Sequence, residues 1–269
     1  TLSRQHRLVF AVGRYSQIAP LWLLPENLKL QSAWQLGLRH AWQWDNDWAL
    51  RSELFWQHSA SAGVDATLRS TFSLINAPEY DILAGRQLAF NGASENRGLE
   101  ITVERPLSEA WFFLANATIF DSRYQGSDAV WRSTRWDLGH LANLTAGREW
   151  LREKSGDKTR SFGLNGRAVW TGGFREMPVD LTASAASSTT VFRVEQGFSI
   201  RQPDYFRFDV RVYWKRSLGN RRNSTFAMDF QNVTAQKNQA YHYYDPFTKK
   251  VETKYQLGLI PNLSWRVEF

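Results

Sequence analysis

The chain has 269 residues, with 33 Lys and Arg against 26 Asp and Glu, 13 Trp, 17 Phe, 9 Tyr and no Cys. Without Cys there is no disulfide scaffold, thiolate metal site or Cys nucleophile, and no stretch approaches the roughly 18 apolar residues that a spanning helix needs. The formal charge of +7 is scattered rather than gathered on one face or tail, which argues against a nucleic-acid partner and leaves a chain that is either soluble or crosses a membrane as strands.

Period-two alternation organises the chain. Arg7–Tyr15 is the first expected strand. In the second, Trp34, Leu36, Leu38, Trp42 and Trp44 alternate with Gln35, Arg39 and Gln43. In the third, Trp48, Leu50, Leu54 and Trp56 alternate with Arg51, Glu53 and Gln57. Leu99, Ile101 and Val103 then alternate with Glu100, Thr102 and Glu104. Trp111–Phe120 and Trp136–Trp150 follow with less regular patterns, and Ser161–Thr171 comes next. Phe206, Phe208, Val210, Val212 and Trp214 alternate with Arg207, Asp209, Arg211 and Lys215, and Phe226, Met228 and Phe230 with Thr225, Asp229 and Gln231. The last expected strand, Tyr255–Phe269, carries Tyr255, Leu257, Leu259, Leu263, Trp265, Val267 and Phe269 in one phase. Side chains of a strand point alternately to opposite faces, so each segment predicts one apolar and one polar face. That makes roughly ten strands, most near the 9–11 residues of a tilted membrane-spanning strand.

The connections fall into two alternating sets. Asp45-Asn46-Asp47, Pro106–Glu109, Leu151–Arg160 and Ser217–Asn223 are the shorter ones. Ser16–Gln31, Ala60–Ser94, Gln125–Arg135, Gly173–Tyr205 and Val233–Lys254 are the longer ones. An up-and-down outer-membrane barrel has short periplasmic turns and long outer loops, a parity that a soluble sandwich does not require. The same parity places Phe269 on the periplasmic side. Trp42, Trp44 and Trp48 flank one short turn, and Trp111, Trp150 and Trp214 lie beside others, as an interfacial aromatic girdle requires. The polar phase carries Arg39, Arg51, Glu53, Glu100, Glu104, Arg167, Arg207, Asp209, Arg211, Asp229, Arg266 and Glu268, which suit a wet lumen or the solvated face of an ordinary sheet. The expected fold class is therefore all-β: a transmembrane antiparallel up-and-down β-barrel, in an outer membrane and in contact with its lipid.

Few motifs carry chemistry. The five His show no metal-ligand spacing, there is no nucleophile elbow or phosphate-cradling loop, and no cofactor is expected. Asn116, Asn143, Asn223, Asn232 and Asn262 head glycosylation triplets, but most lie in or beside expected strands, so glycosylation is discounted. Gly173–Thr190, rich in small polar residues, reads as a mobile outer loop. Gln125–Trp136 gathers Asp128, Trp131, Arg132, Arg135 and Trp136 at an outer rim. Trp beside Arg suits sugar or anion contacts, and equally a loop folded onto the barrel wall.

FDSRYQGSD at Phe120–Asp128, WRSTRW at Trp131–Trp136 and QPDYFRFD at Gln202–Asp209 recur as a set with DFQNVTAQKN at Asp229–Asn238, YYDP at Tyr243–Pro246 and YQLGLIP at Tyr255–Pro261. GRYSQIAPL at Gly13–Leu21 fits an outer loop, and SWRVEF at Ser264–Phe269 closes the chain. With these segments the chain resembles the C-terminal barrel region of TonB-dependent receptors, in particular the Bacteroidota type that carries a carboxypeptidase-regulatory-like domain near its N-terminus. Asp128-Ala129 stands where that family has Asp followed by Gly.

The resemblance implies a single barrel segment over residues 1–269, about ten strands of a barrel of about 22 with a plug in its lumen. The plug, the first half of the barrel, the N-terminal extension and the box that binds TonB would lie outside this sequence, as would any export signal. It further implies uptake of a scarce solute: a siderophore, a metal complex or an oligosaccharide. Capture by outer loops would lead to passage as the plug is remodelled, with no residue catalysing. Trp265, Val267 and Phe269 resemble the signal read by the barrel-assembly machinery. Two alternatives remain: a complete ten-stranded enzyme of omptin type, with His58 and Asp65 as its best rim candidates, and a passive porin.

Overall fold

The structure is a computed structural model that describes residues 5–18, 30–44, 47–66, 69–77, 87–155, 158–218 and 222–269. Ten strands form one antiparallel meander. They are β1 (His6–Gln17), β2 (Gln31–Gln43), β3 (Ala49–Asp65), β4 (Leu88–Ser108), β5 (Trp111–Gln125), β7 (His140–Ser155), β8 (Lys158–Thr171), β11 (Tyr205–Leu218), β12 (Asn223–Gln231) and β15 (Ile260–Glu268). Each pairs with the next in that order, and β6 (Trp131–Ser133) folds back on β5. All ten expected strands are present. Among the described residues no helix is long and apolar enough to cross a membrane.

The register keeps one phase on one face. Phe10 lies opposite Leu38, Leu38 opposite Leu54, Leu54 opposite Leu99, and Leu99 opposite Ile119. A slip of one residue would send this row to the other face. These side chains are uncovered: Phe10 is 70% exposed, Ile119 69% and Trp265 75%. An apolar face this large is unstable in water and suited to hydrocarbon.

The opposite face is polar and internally paired. Arg39 donates to Glu53 at 2.9 and 2.6 Å, Arg51 pairs with Glu104, Arg207 reaches Asp209 at 2.8 Å, and Arg211 reaches Asp229 at 3.1 Å. Tyr213 donates to Glu149 at 2.8 Å with its ring laid over Gly163, where any Cβ would collide with it. The bare glycine backbone lets the ring cross and reach its carboxylate. This face has the chemistry of a lumen.

The two ends differ as the connection lengths predict. At one end β4 and β5 are joined by Glu109 and Ala110 alone, with φ of 48° and 75°, a mirror-image two-residue hairpin. At the other end the chain elaborates. Between β8 and β11 stand β9 (Arg175–Glu176), α1 (Leu181–Ser187) and β10 (Ile200–Arg201). Asp180 caps α1, accepting from the backbone of Ala183 at 2.9 Å. Between β12 and β15 stands the hairpin of β13 (Gln239–Asp245) and β14 (Lys250–Tyr255). β3 and β4 also climb past the row of large exposed side chains, and there burial takes its soluble form: Ala62, Val64, Phe90 and Tyr124 are buried, with Val64 and Tyr124 at 0% exposure.

Three expectations are corrected. Trp136–Trp150 begins as a strand only at His140, because the chain turns at Arg135 and Trp136 and passes through Gly139 at φ 79°. Tyr255–Phe269 is not one strand: Tyr255 ends β14 and the wall strand starts at Ile260. Gly173–Thr190, expected as a mobile loop, contains a capped helix. Asp45 and Asn46, most of Ser16–Gln31, the middle of Ala60–Ser94 and the tips of Leu151–Arg160 and Ser217–Asn223 lie outside the described residues.

Candidate functional site

The long-connection end of the sheet holds the expected group of Asp128, Trp131, Arg132, Arg135 and Trp136, and the structure divides it in two. Asp128 and Arg132 are turned on each other. Arg132 donates from Nη1 to Oδ1 at 3.0 Å and from Nη2 to Oδ2 at 2.7 Å, and the side chains are only 20% and 16% exposed. The backbone of Val130 also donates to Asp128 at 3.2 Å. Burial works against the Asp128 carboxylate, but the Arg132 guanidinium and the Val130 N–H outweigh it and hold the carboxyl below its usual range. This pair closes the turn that lets β6 fold back onto β5. Each group satisfies the other, so neither is free to bind a ligand.

Below the pair, Thr134 donates through its backbone to Ser122 at 2.9 Å and through its hydroxyl to the Ser122 Oγ at 2.8 Å. Ser122 Oγ in turn donates to Asn96 at 2.6 Å. This buried ladder presses the segment against the wall. Trp131 lies opposite Gln125, in the phase of Arg123 and Ile119, which places it on the outer face of the wall rather than toward the lumen.

Arg135 and Trp136 are available. The Arg135 guanidinium lies 5.1 Å from the Trp136 ring centroid. Trp136 and Phe174 meet edge to face at 6.2 Å while remaining 45% and 41% exposed. The indole N–H is held by the Ile75 carbonyl at 3.2 Å, and the Arg135 backbone donates to Asn76 at 2.9 Å. A fixed indole face with a guanidinium over it can stack on a sugar ring or meet an anion.

Two clasps missed by sequence reasoning hold the outer segments together. Asp137, 3% exposed, accepts from Arg175 at 3.0 Å and Arg201 at 3.4 Å. Glu176 accepts from Gln202 at 3.1 Å and Gln239 at 3.3 Å and is bonded to the ring of His242. The first clasp ties β9 and β10 to the rim segment, and the second ties them to β13. Gln202 lies within a segment that carried the family resemblance, but nothing in the sequence marked its partners. His58 and Asp65, the enzyme candidates, do not meet: seven residues along β3 separate them by about 20 Å.

No family model and no curated protein matches the chain. Solved structures do. A structure of P. aeruginosa FpvA bound to heterologous pyoverdines is similar over 98% of this chain, at a TM-score of 0.62 and 12% identity. The complex of FpvAI with pyocin S2 is similar over 98% of the chain, at a TM-score of 0.60 and 14% identity. The chain spans 31% and 30% of those two chains. Both are TonB-dependent receptors, and the likeness is to their barrel. It establishes the fold: this sheet has the architecture of a TonB-dependent receptor's barrel wall.

Proposed function

We propose that the chain is part of an outer-membrane TonB-dependent receptor that imports a scarce solute, such as a siderophore, a metal complex or an oligosaccharide. The observation that carries this reading is the division of one sheet into a face with a continuous apolar row from β1 to β5 and an opposite face of paired charges. The rim above is built from clasped loops, as capture requires. No catalytic step is part of the proposal. The TonB complex would supply the energy, acting through a region outside this sequence, and the barrel-assembly machinery would insert the protein. The segments that resemble the Bacteroidota type with a carboxypeptidase-regulatory-like domain support that finer assignment. FpvA was solved with pyoverdines, which makes ferric siderophores the first solutes to test.

The rim patch of Arg135, Trp136 and Phe174 is the proposed contact for the solute. The test is uptake of radiolabelled ferric siderophores and oligosaccharides by cells that carry or lack the intact gene. Accumulation should require both the gene and an energised inner membrane, and Arg135→Ala with Trp136→Ala should weaken surface binding about tenfold. Gene-dependent accumulation that persists after de-energisation would support a passive pore instead.

A further inference from the structure

We propose that the buried carboxylate of Asp137 anchors a two-joint strap that restrains the β13–β14 hairpin through β9 and β10. Among the described residues Asp137 shares no hydrogen bond or ion pair with the hairpin itself. The strap is the same whichever solute the rim patch takes. β9 and β10 are two residues each, and their register sets Arg175 directly opposite Arg201. Like charges placed opposite each other across two strands repel. Asp137, with its side chain 4% exposed, meets both. Its carboxylate accepts from Arg175 Nε at 3.0 Å and from Arg201 Nη2 at 3.4 Å, and its backbone carbonyl accepts from Arg201 Nη2 at 3.1 Å. Among the described residues neither arginine pairs with another carboxylate. One buried anion therefore keeps two opposed cations together, and with them the short ladder of β9 and β10.

The next residue along β9 passes the restraint on. Side chains alternate along a strand, so Glu176 points away from Asp137. Glu176 accepts from Gln202, the residue after Arg201, at 3.1 Å and from Gln239 at 3.3 Å. It is also bonded to the His242 ring and accepts from the His242 backbone at 3.4 Å. Gln202, 7% exposed, donates as well to the Ala240 carbonyl at 3.3 Å. Gln239, Ala240 and His242 all belong to β13. This grip needs Glu176 and Gln202 side by side, hence β9 paired with β10, hence Asp137. The hairpin has separate holds at its two ends. Asn238 exchanges two bonds with the Phe206 backbone, and the Tyr244 backbone donates to Thr190 at 3.0 Å. Loss of the strap therefore loosens the hairpin without unfolding it.

The test uses the intact receptor in detergent and a lysine-specific protease. The hairpin carries Lys249, Lys250 and Lys254, and cleavage there reports its local opening. Asp137→Asn should speed cleavage at these lysines about tenfold, as loss of a charge-assisted hydrogen bond implies, and Glu176→Gln should do the same. Cleavage after Lys215, in β11, should not change. Because the two joints act in series, the double variant should be no faster than the faster single one, whereas independent joints would multiply their effects. Adding Arg201→Gln to Asp137→Asn removes one of the opposed charges and should restore most of the slow cleavage, which separates a released strap from a failure to fold. Multiplied effects, an Asp137→Asn variant cleaved as slowly as wild type, or no rescue by Arg201→Gln would each overturn the proposal. The measurement needs no solute, so its result is independent of the uptake test above.

Discussion

Ala129 has a φ of 59°, a region that L-residues reach only at a cost of about 1–2 kcal/mol and glycine reaches freely. Glycine is the residue that this turn geometry favours. Ala129→Gly should therefore stabilise the protein by up to about 1 kcal/mol in denaturant unfolding in detergent, and a loss of stability would show that the turn is not held in this form. The neighbouring Asp128–Arg132 pair makes a prediction in pH. Because the folded carboxyl titrates below its usual value, its contribution is complete above the ordinary Asp pKa of about 3.9 and is lost as pH falls through the lower folded value. Asp128→Asn should cost about 1 kcal/mol at neutral pH, with the deficit against wild type closing only under strong acid. A deficit that closed near pH 6 would point to a different titrating group.

The strands make two further predictions. These 269 residues contain no Cys, so a thiol introduced among them is the only one they carry. Phe247 is 95% exposed in the β13–β14 hairpin, and the Glu109 side chain is 86% exposed in the opposite turn. An impermeant maleimide should label Phe247→Cys but not Glu109→Cys in intact cells, and the reverse pattern would invert the topology. Trp265 and Val267 of β15, and Phe269 one residue beyond it, are 75%, 43% and 92% exposed. If these residues act as an assembly signal, deleting Phe269 from the intact receptor should sharply lower insertion in cells and barely change the stability of protein refolded in detergent. A matched fall in both would make Phe269 structural, through burial of about 1.5–3 kcal/mol. Each of the ten wall strands had a counterpart in the sequence, six of them through clear alternation, because a half-buried strand writes its two faces into sequence. The rim was legible only in part. Trp136 fits the alternation on hydropathy, yet the chain is still turning there, and Gly139 releases it into β7. The β13–β14 hairpin was hidden in a long connection, although Asp245-Pro246 marks its turn. Asp137 with Arg201, and Glu176 with His242, join residues more than 60 apart, and no local pattern encodes such pairs.

Across the whole molecule, β1 and β15 are the two edges of the described sheet. Unpaired edges recruit other strands, and hydrocarbon offers the backbone no other partners. The 269-residue chain refolded alone should therefore oligomerise or aggregate, as read by light scattering in detergent. A monodisperse monomer with heat-resistant mobility on a gel would instead indicate a closed ten-stranded barrel and would revive the enzyme and porin alternatives. The rings of Trp42 and Trp44 lie 5.1 Å apart at 45°, and that of Trp48 follows Trp44 at 5.9 Å. The close and oblique Trp42–Trp44 pair shares its electronic excitation, and Trp48 stacks on Trp44 nearly parallel at 11°, so the folded chain carries a built-in chromophore whose circular dichroism reports on the end of β2, and folding can be followed by light without attaching anything to the protein.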